Sequence, residues 1–120
     1  MGIKMEFVYN LIVVLHFVGL ASLLGGFLVQ MSSATKGINP AMFHGALTQL
    51  VTGLGLAGIL SAGLLADETV DHTKIGIKLG VSLAVLVVVL IGRKSTTDAK
   101  SMWAAVGGLT ILNVIVAVFI

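Results

Sequence analysis

The sequence predicts an all-α integral membrane protein, an antiparallel bundle of four transmembrane helices. Three observations support this fold class. Hydrophobic residues make up 58% of the chain and charged residues only 10%, whereas about 25% of the residues of an ordinary soluble domain are charged. Four apolar runs, each near the roughly 20 residues that cross a bilayer, cover residues 7–31, 41–66, 75–92 and 101–120. Lysine and arginine gather mainly in the short gaps between these runs.

Each run is expected to form one helix, because lipid leaves helices and closed barrels as the only spanning structures and no segment alternates with period two. The first run is longer than the 7–15 apolar residues of a signal peptide, so we expect it to be retained. Asn39 and Pro40 mark the start of the second helix, since proline suits the first helical turn. The gaps are too short to fold alone, and residues 1–120 are therefore predicted to form a single domain.

Basic residues near the span ends predict the orientation. The first and third gaps share one side and carry four of them: Lys36, Arg93, Lys94 and Lys100. The other side holds both termini and the second gap, with Lys4 and Lys74. We therefore expect a multi-pass protein of a bacterial plasma membrane, with both termini outside and loops 32–40 and 93–100 in the cytoplasm. The net charge of +2 follows from this topology and does not indicate nucleic-acid binding.

Small residues within the spans predict close helix contacts, which in lipid depend on near approach of the backbones. Gly19, Ser22 and Gly26 share one face of the first span, and Gly76 and Gly80 form a GxxxG pattern in the third. Such faces serve either packing inside the bundle or docking onto other membrane subunits or a second copy. The sequence leaves both open.

Polar residues inside the spans are the first candidates for function, since they are costly in lipid. His16 lies deep in the first span, and its imidazole is expected either to donate to a carbonyl or a threonine, or to serve as a cofactor ligand or proton relay. His44 and Lys78 lie near span ends and are expected to reach the interface. Asn113 is expected to hydrogen-bond across the bundle.

Signatures of catalysis and metal binding are missing from the sequence. It contains no cysteine, no Gly-x-Ser-x-Gly, no phosphate-binding loop and no pair of histidines at i, i+4. No acidic residue falls within a span, which also disfavours an ion transporter. We therefore expect no catalytic residues and no metal site.

Short motifs along most of the chain resemble a group of small four-span integral membrane proteins of actinobacteria. They are Leu15-His16, Leu24-Gly25-Gly26, His44-Gly45-Ala46-Leu47-Thr48, His72-Thr73-Lys74-Ile75, Lys78-Leu79, Gly107-Gly108-Leu109 and Asn113-Val114. A more distant resemblance is to membrane-type protoporphyrinogen oxidases and copper-resistance D-type proteins, through His16 with Gly25 and through His72-Thr73-Lys74. This second resemblance implies His16 and Lys74 as ligands of a haem b. The chain lacks the tryptophan-rich and arginine-bearing segments of those proteins, which argues against an enzyme.

Taken together, these features favour a non-enzymatic accessory or scaffold subunit of a larger membrane complex, with a respiratory assembly as one host. Its expected partners are the lipid bilayer and other membrane subunits or a second copy of the chain. The alternative is a haem-binding or electron-transfer protein centred on His16. A small transporter is a third, weaker hypothesis.

Overall fold

The computed structural model describes residues 4–64, 71–94 and 99–120, and these form four α-helices. They are α1 (Met5–Leu28), α2 (Pro40–Ser61), α3 (His72–Gly92) and α4 (Ala99–Phe119). At 1.5 Å per residue, 21 to 24 residues give lengths of about 32–36 Å. That is enough to cross a hydrocarbon core about 30 Å thick. All four helices are long and apolar enough to span a membrane, so the predicted fold class is confirmed.

The helices follow one another around a ring in which α1 packs on α2, α2 on α3 and α3 on α4, and a smaller α1–α4 contact closes the ring. Most apolar side chains point outward. Only 22–33% of the most apolar stretch of each helix is buried, and residues such as Phe17, Val51 and Val118 are largely exposed. An apolar exterior of this kind suits contact with lipid and does not suit contact with water.

Helix ends depart from the predicted spans for local reasons. The end of α1 comes at Leu28 and not at Met31, because the next residues form 3₁₀-type turns, in which each N–H donates to the carbonyl three residues earlier. Gly63, with φ +69°, and Leu64 close a Schellman motif on the end of α2 after Ser61. Of the predicted extension to residue 66, residues 62–64 lie beyond the end of the helix, and residues 65 and 66 lie outside the described residues.

The start of α3 comes three residues earlier than the prediction of residue 75. Asp71 accepts hydrogen bonds from the backbone N–H groups of Thr73 (3.0 Å) and Lys74 (3.1 Å), which makes it the N-cap. The segment from His72 to Lys74 is therefore the first turn of α3 and not a loop. At α2 the prediction was correct: Asn39 caps the helix by accepting from the N–H of Met42 (2.9 Å), and Pro40 is its first residue.

Glycines bring α1 and α2 into backbone contact. A Cβ added to Gly45 would collide with the backbone nitrogen of Leu23 and lie 2.7 Å from the carbonyl oxygen of Gly19. One added to Gly19 would lie 2.8 Å from the Thr48 methyl group. The predicted face of small residues on the first span is therefore used inside the bundle.

The buried apolar core lies in one half of the bundle, here called the packed half, which includes the 29–39 loop and the start of α4. Its members are Leu23, Phe27, Met42, Ala46, Val85, Leu86, Val89, Trp103 and Val106. Phe27 stacks on Trp103 with ring centroids 4.5 Å apart, and the Trp103 indole N–H donates to the Phe27 carbonyl at 3.0 Å. The Phe27 ring occupies the space that a side chain at Gly107 would fill. These contacts join α1 to α4.

The 29–39 loop is held by the amide of Gln30. Its nitrogen donates to the carbonyl oxygens of Gly26 and Gly37, both at 2.9 Å, and its oxygen accepts from the Gly37 N–H at 2.8 Å. Asn39 also donates to the Gly26 carbonyl at 3.1 Å. Carbonyl groups at the end of α1 are thereby satisfied by side chains, so the loop stays close to the bundle.

Replacing Gly45 with alanine tests the α1–α2 contact. Because the new methyl group meets backbone atoms that cannot rotate away, we expect Gly45→Ala to destabilise the protein by about 1–3 kcal/mol, the usual cost of overpacking. Gly58, on the same helix, has nothing within 4 Å of an added Cβ. Gly58→Ala is the matched control and should be neutral or stabilising. Thermal unfolding in detergent measures both, and equal melting temperatures would contradict the proposed contact.

Candidate functional site

The half of the bundle opposite the packed half, here called the open half, contains a cavity of about 260 Å³ between the four helices. It reaches from the end of the bundle near Tyr9 and Ile75 down to the middle of the spans at Gln49 and Ser82. Six of its lining residues are polar: Tyr9, His16, Gln49, Lys78, Ser82 and Asn113. The remaining lining is glycine and apolar side chains.

His16 is half-buried on α1, eleven residues after its start, or about 16 Å along the axis. Its Nδ1 lies 2.6 Å from the Thr52 hydroxyl oxygen on α2. The Thr52 hydroxyl has one proton and lies 2.5 Å from the Thr48 carbonyl oxygen, which can only accept. Thr52 must therefore accept from His16, which places a proton on Nδ1. A neutral imidazole, the form that an apolar interior favours, then has a lone pair on Nε2. The predicted histidine–threonine bond is present.

Asn113 and Ser82 connect α4 to α3. The Asn113 amide nitrogen lies 3.4 Å from the Ser82 hydroxyl oxygen, and both residues are buried. The prediction that Asn113 bonds across the bundle is confirmed. At 3.4 Å the bond is long, so it holds the two helices together only weakly.

Gln49, like Tyr9 and Ser82, is a polar residue of the site that the sequence analysis did not single out. It is only 3% exposed, and its side-chain oxygen has no hydrogen-bond partner among the described residues. One signal pointed to it: Gln49 lies three residues before Thr52, so both fall on the α2 face that meets His16.

The structure does not bring His16 and Lys74 together. Lys74 is exposed in the first turn of α3 and is absent from the lining, whereas Lys78, one turn further on, is part of it. His44 is exposed beside Phe43 in α2, and His72 is exposed at the start of α3. Of the three histidines, the site therefore uses His16.

A haem does not fit this arrangement well. The cavity is smaller than the roughly 300–1,000 Å³ pockets of drug-sized ligands, and a haem is larger than most of those ligands. Within residues 4–64, 71–94 and 99–120, no three histidine, aspartate or glutamate side chains form a group that could hold a metal ion. The His16–Lys74 haem hypothesis stays a prediction that this geometry does not favour.

No protein-family model, curated protein or solved structure matches the chain. The resemblances drawn from short motifs therefore also stay predictions.

Removing the Thr52 hydroxyl tests the His16 bond. Thr52→Val keeps the shape but leaves the Nδ1–H without an acceptor, so we expect a loss of about 1 kcal/mol in stability. Thr48→Val, one turn away, is the matched control. The Thr48 methyl group packs on Gly19, and valine retains that methyl group. Thermal unfolding compares the two variants, and ¹⁵N NMR of the wild-type imidazole should show the Nδ1-protonated neutral tautomer. An Nε2-protonated ring, or equal stability of the two variants, would refute the assignment.

Proposed function

We propose that this chain is a non-enzymatic accessory or scaffold subunit of a larger membrane-protein assembly in a bacterial plasma membrane, such as a respiratory complex. The proposal is supported by a bundle made almost wholly of membrane-spanning helices, with short connections. The observation that carries it is the division of the helical glycines between the interior and the exterior of the bundle.

Interior glycines are those at which an added Cβ would overlap a neighbouring helix or loop. Five helical glycines belong to this class: Gly19, Gly26, Gly45, Gly92 and Gly107. Another five have nothing within 4 Å of the added Cβ: Gly25, Gly58, Gly76, Gly80 and Gly108. A glycine inside a helix lowers helix stability relative to alanine, so the second group brings a cost that no contact in the monomer offsets.

Glycine on a lipid-facing surface allows the backbone of another helix to approach closely. Gly76 and Gly80 lie one turn apart on α3, and both are exposed. Together with exposed Leu83 and Val87 on the following turns, they form a shallow notch lined by larger apolar side chains. We call these four residues the α3 surface. Its shape suits a transmembrane helix better than it suits lipid tails.

The five open glycines are distributed over all four helices. A twofold dimer of this chain uses one self-complementary patch, and such a patch leaves the glycines of the other helices uncovered. Other subunits packed on several sides of the bundle would cover more of these five glycines. This distribution favours a place among other subunits over a simple homodimer.

Filling the notch on the α3 surface tests the proposal. We expect Gly76→Ile/Gly80→Ile to release the chain from its partners, because the added side chains block helix approach. Stability of the isolated bundle should hold, since nothing lies within 4 Å of either site. Ala21→Ile, at an exposed alanine on α1, is the matched control. Native electrophoresis and co-purification after mild extraction from native membranes report the outcome.

Two results would count against the proposal. Migration of the wild-type chain as a free monomer or a self-dimer contradicts the accessory role. Retention of a stoichiometric partner by the double glycine variant, at wild-type yield, contradicts the use of the α3 surface.

The proposed orientation places both termini and the α2–α3 connection outside the cell, with the packed half toward the cytoplasm. Two basic side chains stack on aromatic rings at the end of the packed half. The Lys36 ammonium lies 5.4 Å from the centre of the Trp103 ring, and the Arg93 guanidinium lies 3.8 Å from that of Phe43. An excess of lysine and arginine is typical of cytoplasmic loops.

Single cysteines test the orientation cleanly, because the natural chain has none. Ser32→Cys and Thr73→Cys lie at opposite ends of the bundle, at exposed positions, and leave the basic residues unchanged. In intact cells, a membrane-impermeant maleimide should label residue 73 and should reach residue 32 only after permeabilisation. The reverse pattern would show that the orientation is inverted.

A further inference from the structure

Four basic side chains lie at the end of the packed half and are here called the basic cluster. They are Lys36, Arg93, Lys94 and Lys100. The segments that carry them are in contact. A Cβ added to Gly37 in the 29–39 loop would lie 3.5 Å from the side chain of Ala99 at the start of α4. One added to Gly92 at the end of α3 would lie 2.8 Å from the Met102 side chain of α4. The cluster therefore concentrates positive charge where the loop, α3 and α4 meet.

The described carboxylates do not neutralise this charge. They belong to Glu6 at the start of α1 and Asp71 at the start of α3, which lie at the other end of the bundle. Asp98, the acidic residue in the gap before α4, lies outside the described residues. Even with Asp98 counted, four basic residues and one acidic residue leave this end with a net charge of +3. A concentration of one sign of charge attracts ions of the other sign.

Arg93 is the member of the basic cluster best prepared to hold an anion. Its guanidinium carbon lies 3.8 Å from the centre of the Phe43 ring, a cation–π contact that limits the movement of the side chain. The side chain is exposed, and within the described part of the chain its five N–H donors have no hydrogen-bond acceptor. A guanidinium with free donors matches two oxygens of a phosphate group.

Lys36 is held in a comparable way. Its ammonium donates to the Ser33 carbonyl oxygen at 2.5 Å and lies 5.4 Å from the centre of the Trp103 ring. An ammonium has three N–H donors, so two remain for an anion. Two of the four cations are thus held by aromatic rings and the loop backbone, and the exposed Lys94 and Lys100 add charge beside them.

The height of the cluster selects a lipid anion over a soluble one. Arg93 directly follows the last residue of α3, and the exposed side chains of Leu90 and Ile91 come within one turn before it. Since apolar side chains on a spanning helix face acyl chains, Arg93 lies at the boundary between hydrocarbon and headgroups. The phosphate of a phospholipid lies at the same boundary. A zwitterionic lipid also brings a cation, which the cluster repels, so a lipid with a net negative charge fits better.

We propose that the basic cluster binds the headgroup of a net-anionic phospholipid such as phosphatidylglycerol, with the phosphate on the Arg93 guanidinium and the acyl chains along the end of α3. This lipid site goes beyond the accessory role proposed above. It depends neither on that role nor on the orientation of the chain. A lipid bound here neutralises positive charge that the described carboxylates leave unpaired.

The arginine itself reports binding. Arg93 is the only arginine of the sequence, so the guanidinium of the full chain labelled with ¹⁵N-arginine gives an NMR signal that needs no assignment. The labelled chain is placed in phosphatidylcholine bilayers with a rising fraction of phosphatidylglycerol of the same acyl chains. We expect the guanidinium signal to shift to a saturating value. Solid-state ³¹P–¹⁵N coupling at the guanidinium should grow along with it, because the phosphate accepts from its N–H groups.

Matched variants separate a defined site from general attraction to a charged membrane. Arg93→Gln and Lys4→Gln each remove one positive charge, and Lys4 is exposed at the opposite end, just before α1. Native mass spectrometry of the full chain, released from nanodiscs with equal amounts of the two lipids, measures the preference for phosphatidylglycerol. We expect Arg93→Gln to lower this preference about five-fold, the usual effect of one basic residue at an anionic surface. Lys4→Gln should keep the wild-type preference.

A third variant tests the role of the aromatic ring. Phe43→Leu keeps every charge but removes the ring under the guanidinium, so we expect the preference for phosphatidylglycerol to fall about two-fold, from the usual worth of an exposed cation–π contact.

Three outcomes overturn the proposal. One is an Arg93 signal that does not respond to phosphatidylglycerol, or that couples to a protein carboxylate and not to phosphorus. Another is an equal loss of preference in Arg93→Gln and Lys4→Gln, which shows attraction without a site. The third is the same shift of the Arg93 signal when inorganic phosphate is added to pure phosphatidylcholine bilayers, which assigns the site to a soluble anion. The first and third are measured on the wild-type chain and do not depend on the folding of any variant.

Discussion

Close approach of α1 and α2 is the constraint on which the rest of the bundle depends. At Gly19 and Gly45 the two backbones meet with no room for a side chain. In lipid there is little hydrophobic drive between helices, so contacts of this kind, with hydrogen bonds, supply the attraction. The same pairing sets Thr52 against His16 and places Asn39 beside the end of α1. A change in the α1–α2 spacing therefore alters both the loop and the cavity.

The bundle is asymmetric along its length because of where the small and large residues fall. Toward the packed half, Phe27 and Trp103 stack and join α1 to α4. In the open half, the His16–Thr52 bond joins α1 to α2, and the long Asn113–Ser82 bond joins α4 to α3. The contact between α1 and α4 is the smallest of the four in the bundle, and the cavity lies between the helices of the open half. The cavity is thus a consequence of one closely packed half and one loosely joined half.

The fold was predictable from the sequence because length and apolarity alone define a spanning helix. The ends of the helices were less predictable, because each depends on a single capping residue. Asp71 starts α3 earlier than the apolar run suggests, and Gly63 ends α2. That His16 and Asn113 would hydrogen-bond to neighbouring helices followed from the rule that polar groups in lipid seek partners, but their partners Thr52 and Ser82 came from the structure. Gln49 was missed because an acceptor without a partner can be recognised only when the positions of the neighbouring groups are known. Likewise, an interior glycine can be told from an exterior one only when the position of the neighbouring helix is known.

Lys36 on Trp103 and Arg93 on Phe43 place two basic side chains against aromatic rings at one end of the bundle. Aromatic and basic side chains fix the depth of a helix in this way. With that end held, a bilayer of different thickness is accommodated mostly by tilt at the other end, where the helices are more loosely packed. The width of the space between them, and with it the shape of the cavity, then varies with the lipid composition of the membrane.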